Sequence, residues 1–156
     1  TLSIMVGGEK TDFDACVPLF ETMGKNVVYT GPAGCGQHTK MANQIAIAGC
    51  VTGVAEAVRY GQISGLDPQN MLSCIAAGAA GSWQMSNNGP KMISGDYAPG
   101  FYIQHFIKDM RIAKDEAAQR GVELPVLDMV LSMYESLMED GRGNEGTQAI
   151  IEWYQG

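Results

Sequence analysis

Metal and disulfide chemistry have little to work with in this chain. It holds two histidines and four cysteines in 156 residues, and Cys16, Cys35, Cys50 and Cys74 form no C-x-x-C pair. Two histidines cannot complete a zinc pattern with cysteines so spaced, so no metal site is expected. The thiols read as reduced side chains of a cytoplasmic protein, and Cys35 as a small packing residue in a tight turn. Positive charge is scarce too: ten Lys and Arg stand against 17 Asp and Glu, a net charge of −7. Lys108, Arg111 and Lys114 form the densest basic group, interleaved with Asp109, Asp115 and Glu116, so a nucleic-acid footprint is excluded. No apolar run approaches the ~18–20 residues of a membrane span. No charged segment leads into an apolar one as in a signal peptide. A G-x-G-x-x-G fingerprint following a strand is also missing.

What is present suffices for one buried core: 46% of the residues are apolar. Leu2 to Val6, ended by Gly7-Gly8, reads as a buried strand. Thr11 and Asp12 can cap a helix bearing Phe13, Val17, Phe20 and Met23, with Pro18 expected to kink or split it. Asn26 to Tyr29 reads as a second strand, parallel to the first through a right-handed crossover. A two-stranded sheet is no core in itself, so this unit is expected to be the tail of a larger sheet. Gly36 to Ser64 holds no proline and is apolar or small almost all round, which predicts a long, buried central helix. Asp67-Pro68 starts another helix. A short helix is expected near Trp83 to Asn87, then a loop to Gly100 rich in Asn, Gly and Pro. Ile103 to Arg120 has strong helical periodicity, Pro125 opens a further helix, and Asn144 to Tyr154 reads as a last short one.

The chain is organised around Gly31 to Gln44. Gly and Pro punctuate its first six residues, and Lys40, Asn43 and Gln44 follow at i, i+3 and i+4, on one helix face. A cation with two amides beside a glycine-rich turn can bind and protonate a small oxygen-rich substrate. A base working near neutral pH must be able to give up its proton. Burial disfavours an ammonium, and so does the positive end of a helix dipole. The apolar turns after Lys40 are expected to bury it.

Gly34-Cys35-Gly36-Gln37-His38-Thr39-Lys40, with Asn43 within one turn, resembles the glycine-rich catalytic segment of the 3-hydroxyisobutyrate dehydrogenase (β-hydroxyacid dehydrogenase) family, itself similar to 6-phosphogluconate dehydrogenase. Gly81-Ser82-Trp83 and the K-D-x-x-x-A segment at Lys108 to Ala113 match further motifs. Thr1 to Gly8 resembles the end of that family's cofactor domain. The resemblance implies a mainly α fold: a helical bundle of the 6-phosphogluconate dehydrogenase C-terminal type around one long helix, after a short βαβ remnant of a Rossmann sheet. It implies residues 1–30 as the end of an N-terminal cofactor domain lying upstream, and 31–156 as a helical substrate and dimerisation domain. It also implies NAD or NADP as cofactor, a short hydroxyacid or semialdehyde as substrate, and a homodimer or homotetramer. Lys40 is the implied catalytic residue, with Gly36, Asn43, Gln44 and Trp83 at substrate and Lys108 and Phe101 at cofactor. Many members carry Asn where Gln44 stands, and an Asp and a Ser where Gly146 and Gln148 stand. A different class of reading is a non-catalytic helical association module.

Overall fold

The structure, a computed structural model, describes residues 2–155. Thr1 and Gly156, which open and close the expected segments, lie outside the described residues. The chain divides into two compact units at Asn43/Gln44.

The first unit is the expected strand–helix–strand. β1 (Ser3–Gly7) and β2 (Asn26–Gly31) pair in parallel, Ser3 opposite Asn26 and Val6 opposite Tyr29, with an irregularity before Gly7 meets Gly31. α1 (Lys10–Glu21) is the crossover. It begins one residue before the expected cap and runs unbroken past Pro18, which removes one backbone donor without splitting it. Phe13 fixes α1 to the sheet, its ring 5.3 Å from that of Tyr29 and 6.4 Å from that of Phe20. Leu2, Leu19, Met23 and Val28 stay exposed.

α2 (Cys35–Ile63) runs from the first unit into the second. By length and composition it would suit a membrane span, which counting unbroken apolar runs had excluded: Asn, Gln and Thr interrupt its runs while Ala and Val keep it apolar. Ala48, Val51, Val54, Ala55 and Val58 are buried, as in a core helix. The expected burial all round does not hold, since Ala42, Ala46 and Gly53 are exposed.

The second unit continues with α3 (Pro68–Ala76), α4 (Trp83–Ser94), α5 (Ile103–Gln119), α6 (Pro125–Glu139) and a closing 3-10 helix (Thr147–Tyr154). Asp67 caps α3, accepting from the Asn70 N–H at 2.7 Å, with Pro68 at the first position. Ser82 caps α4, accepting from the Met85 N–H at 3.0 Å. α4 corrects the expected loop: Asn87 to Ser94 is helical. Asn88 and Gln84 face inward, bonded to each other at 2.6 Å. A Cβ on Gly89 would stand 2.7 Å from Leu72 Cδ1, so α3 and α4 pack closely there and a larger residue would require the Leu72 side chain to shift. Phe106 and Tyr134 join α5 to α6 edge to face, 5.2 Å apart and both fully buried. The Tyr134 hydroxyl donates to the Thr147 carbonyl at 2.6 Å, holding the 3-10 helix to α6.

Candidate functional site

The first unit builds a cleft from a close backbone approach. After β2 the chain turns through Gly31 (φ 125°), Pro32, Ala33 and Gly34 (φ 92°), conformations that glycine adopts without strain. The turn is closed by Cys35 N–H donating to Pro32 O at 3.0 Å and His38 N–H to Gly34 O at 3.1 Å. The end of β1 then meets the first turn of α2. A Cβ on Gly7 would lie 2.7 Å from Pro32 O and 2.8 Å from Gly36 N. A Cβ on Gly36 would lie 2.7 Å from Met5 O and 3.2 Å from Gly7 N. Only glycine on both sides permits this contact.

Beside it opens a cleft of about 890 Å³, walled by Leu2, by β1, by Phe20, and by Gly36, Gln37, Lys40 and Asn43 of α2. Gly36, Lys40 and Asn43 stand at i, i+4 and i+7, one face of the helix. The positive end of the α2 dipole lies at the same place. The cleft therefore presents a cation and amides, next to backbone, to any small anionic or carbonyl-bearing molecule. Lys40 is exposed. The burial expected from the apolar turns after it is not found, because its side chain leaves α2 on the cleft face rather than on the face those residues occupy.

The second unit holds the other expected residues. Gln44 is buried, 2% exposed, and its amide Nε2 donates to Asp109 Oδ2 at 2.8 Å. Lys108 reaches Asp109 Oδ1 at 2.7 Å while its side chain stays largely in solvent. Phe101 is partly exposed just before α5, edge-on to Phe106 at 6.1 Å. Trp83 opens α4 and is exposed, so it is not a core aromatic. Among the described residues no group of three or more His, Cys, Asp or Glu could hold a metal.

Sequence reasoning overlooked Gln37 and Gly7. Gln37 lies three residues before Lys40, so the spacing that picked out Asn43 also identifies it. Gly7 looked like a strand end; its pairing with Gly36 depends on the folded turn.

A βαβ unit feeding a long helix whose second and third turns carry a lysine and an asparagine, followed by a helical domain, defines the class. Residues 34–154 match the family model described as NAD-binding of NADP-dependent 3-hydroxyisobutyrate dehydrogenase. Residues 1–31 match that of the NAD binding domain of 6-phosphogluconate dehydrogenase. The chain belongs to the 3-hydroxyisobutyrate dehydrogenase family. It is 57% identical over 152 residues to the Bacillus subtilis (strain 168) oxidoreductase YkwC, covering 97% of this chain and 53% of that protein. It is 33% identical over 152 residues to 2-hydroxy-3-oxopropionate reductase of Escherichia coli (strain K12), again 97% of this chain and 52% of the relative. The solved structure of Mycobacterium tuberculosis 3-hydroxyisobutyrate dehydrogenase with L-serine superposes with a TM-score of 0.92 at 26% identity, over 100% of this chain and 56% of that one. The chain thus spans about half the length of the relatives it matches.

Proposed function

We propose that this chain is the lysine-bearing part of an NAD(P)-dependent oxidoreductase that interconverts a short 3-hydroxyacid and its semialdehyde, of the 3-hydroxyisobutyrate or 2-hydroxy-3-oxopropionate type. The observation that carries the reading is one cleft holding Gly36, Lys40 and Asn43 in a chain of this family. In the oxidative direction Lys40 Nζ accepts the substrate hydroxyl proton as the carbon gives up hydride. In reverse it returns the proton to the carbonyl oxygen. The bound nicotinamide supplies the hydride acceptor or donor. Asn43 holds a substrate oxygen by its amide. Gly36 keeps the helix end close enough for its positive pole to favour the developing oxyanion. Trp83 borders the substrate, and Lys108 and Phe101 contact the cofactor, Lys108 being steadied by Asp109.

The test is turnover of the intact protein with short 3-hydroxyacids and semialdehydes, each with NAD and NADP. Oxidation of at least one 3-hydroxyacid is expected. Absence of turnover across the panel with both cofactors overturns the reading. Residues 1–156 alone are expected to be inactive. Tyr60 and Ile63 at the end of α2 and Leu66 just after it, all exposed, favour association between copies. A dimer or larger is expected by light scattering, and a monomer at micromolar concentration contradicts it.

A further inference from the structure

We infer that Gln44 is a positioning residue locked by Asp109, and that of the two adjacent amides on α2 only Asn43 meets substrate. The inference rests on the hydroxyacid reading above. Neighbouring residues on a helix point about 100° apart, so Asn43 and Gln44 cannot serve one small molecule equally. Asn43 walls the cleft with Lys40. Gln44 is 2% exposed, and its Nε2 is engaged by Asp109 Oδ2 at 2.8 Å.

Asp109 explains why the glutamine is held. Its carboxylate is 5% exposed, and a buried carboxylate persists only when paired and hydrogen-bonded. One oxygen takes the Gln44 amide; the other takes the Lys108 ammonium at 2.7 Å. An asparagine at 44 is one methylene shorter and would leave Oδ2 without this donor. The Gln44–Asp109 bond ties α2, one turn beyond Lys40, to α5, the helix that carries Lys108. Its effect on the reaction passes through the placement of Lys40 and Asn43, and Gln44 itself touches neither substrate nor cofactor.

The test is a double-substitution series in the intact protein, read as kcat and substrate KM at saturating cofactor, with Lys40→Ala alongside. Gln44→Met and Asp109→Leu are each expected to lower kcat about 10-fold or more, and the double variant to be no worse than the weaker single, because removing one partner strands the other. Substrate KM in Gln44→Met should stay within about threefold of wild type, since no ground-state contact is lost. A second pair keeps the test decisive should the apolar variants fail to fold. Gln44→Glu sets two buried carboxylates against each other; adding Asp109→Asn reverses donor and acceptor across the same bond and should recover most of the lost kcat. Multiplying losses, a roughly tenfold or greater rise in substrate KM for Gln44→Met, or no recovery in the swapped pair each overturns the inference. If those results appear while Lys40→Ala abolishes turnover, only the inference falls. If Lys40→Ala is fully active, the hydroxyacid reading itself falls.

Discussion

Gly36→Ala inserts one methyl group into the closest backbone contact of the candidate site. The new Cβ would stand 2.7 Å from Met5 O and 3.2 Å from Gly7 N, and within 3.4 Å of Met5 C. All three are main-chain atoms, so no side chain can swing aside. Either β1 or the first turn of α2 must retreat by roughly 0.5–1 Å to restore van der Waals separation. Overpacking of this kind costs about 1–3 kcal/mol; the better helix propensity of alanine offsets part of that, at most about 1 kcal/mol. The net loss, about 1–2 kcal/mol, corresponds to a Tm lower by roughly 2–8 °C for a chain of this size. The effect on turnover should be larger in proportion. Lys40 lies one turn beyond Gly36, and a displacement near 1 Å can cost about 100-fold in rate. Gly53→Ala is the control: it lies in the same helix, is exposed, and a Cβ there meets nothing within 4 Å. It should raise stability by roughly 0.5–1 kcal/mol and leave kcat alone. Thermal unfolding and steady-state kinetics of both variants decide the matter. Wild-type Tm and kcat in Gly36→Ala would refute the close-approach argument.

Gln148, 2% exposed, donates from Nε2 to the carbonyls of Asp96 at 2.9 Å and Ala98 at 3.0 Å, and a Cβ on Gly146 would lie 2.7 Å from that same Nε2. Gly146→Ala and Gln148→Ala should therefore each cost about 1–3 kcal/mol by denaturant unfolding, with the double variant well short of their sum; full additivity would show the two are independent. Burial raises the phenol of Tyr134 well above its ordinary 10.0, and Tyr97 and Tyr154 are raised by burial and by Glu152 and Glu56 respectively. Groups raised on folding support the fold fully below the unfolded value of 10.0 and withdraw that support as pH rises past it. Stability should thus fall above about pH 10, with these three phenols ionising only as the structure opens. Phenolate absorbance that saturates for all six tyrosines while circular dichroism stays native would contradict this.

Much of the fold was legible where local signals and tertiary packing agree. Asp67-Pro68 and Pro125 mark helix starts by cap chemistry and a pre-set φ, and α3 and α6 begin there. α5 follows its apolar period, burying Ile103, Phe106, Ile107, Met110 and Ala113. The first half of α4 was expected as a short helix near Trp83 to Asn87, but its continuation to Ser94 was illegible because its Asn, Gly and Pro are turn formers in isolation. In the folded chain Asn88 is bonded inside, Gly89 makes room for Leu72, and Pro90 is carried by the rest of the helix. The last short helix was expected over Asn144 to Tyr154 and forms over Thr147–Tyr154, but the link between Gly146 and Gln148 was not visible in one dimension: the side chain of one fills the space that a Cβ on the other would occupy. At the site, helical spacing set Lys40, Asn43 and Gln44 on one face, but only Lys40 and Asn43 wall the cleft, while Gln44 is buried against Asp109. That spacing says nothing about what faces the helix, so the β1 wall, the Gly7 contact and the open position of Lys40 emerged only from the fold. The distinction between Asn43 and Gln44 was equally hidden, since it turns on Asp109, 65 residues away in sequence.

The central claim is that Lys40 moves the substrate proton, and the most direct test is kcat of Lys40→Ala in the intact protein with its best hydroxyacid, beside cofactor affinity measured by fluorescence. A fall in kcat of at least about 100-fold is expected, with cofactor affinity unchanged. Turnover at the wild-type rate would contradict it and leave a helical domain with the family's shape and without a proton-transferring lysine.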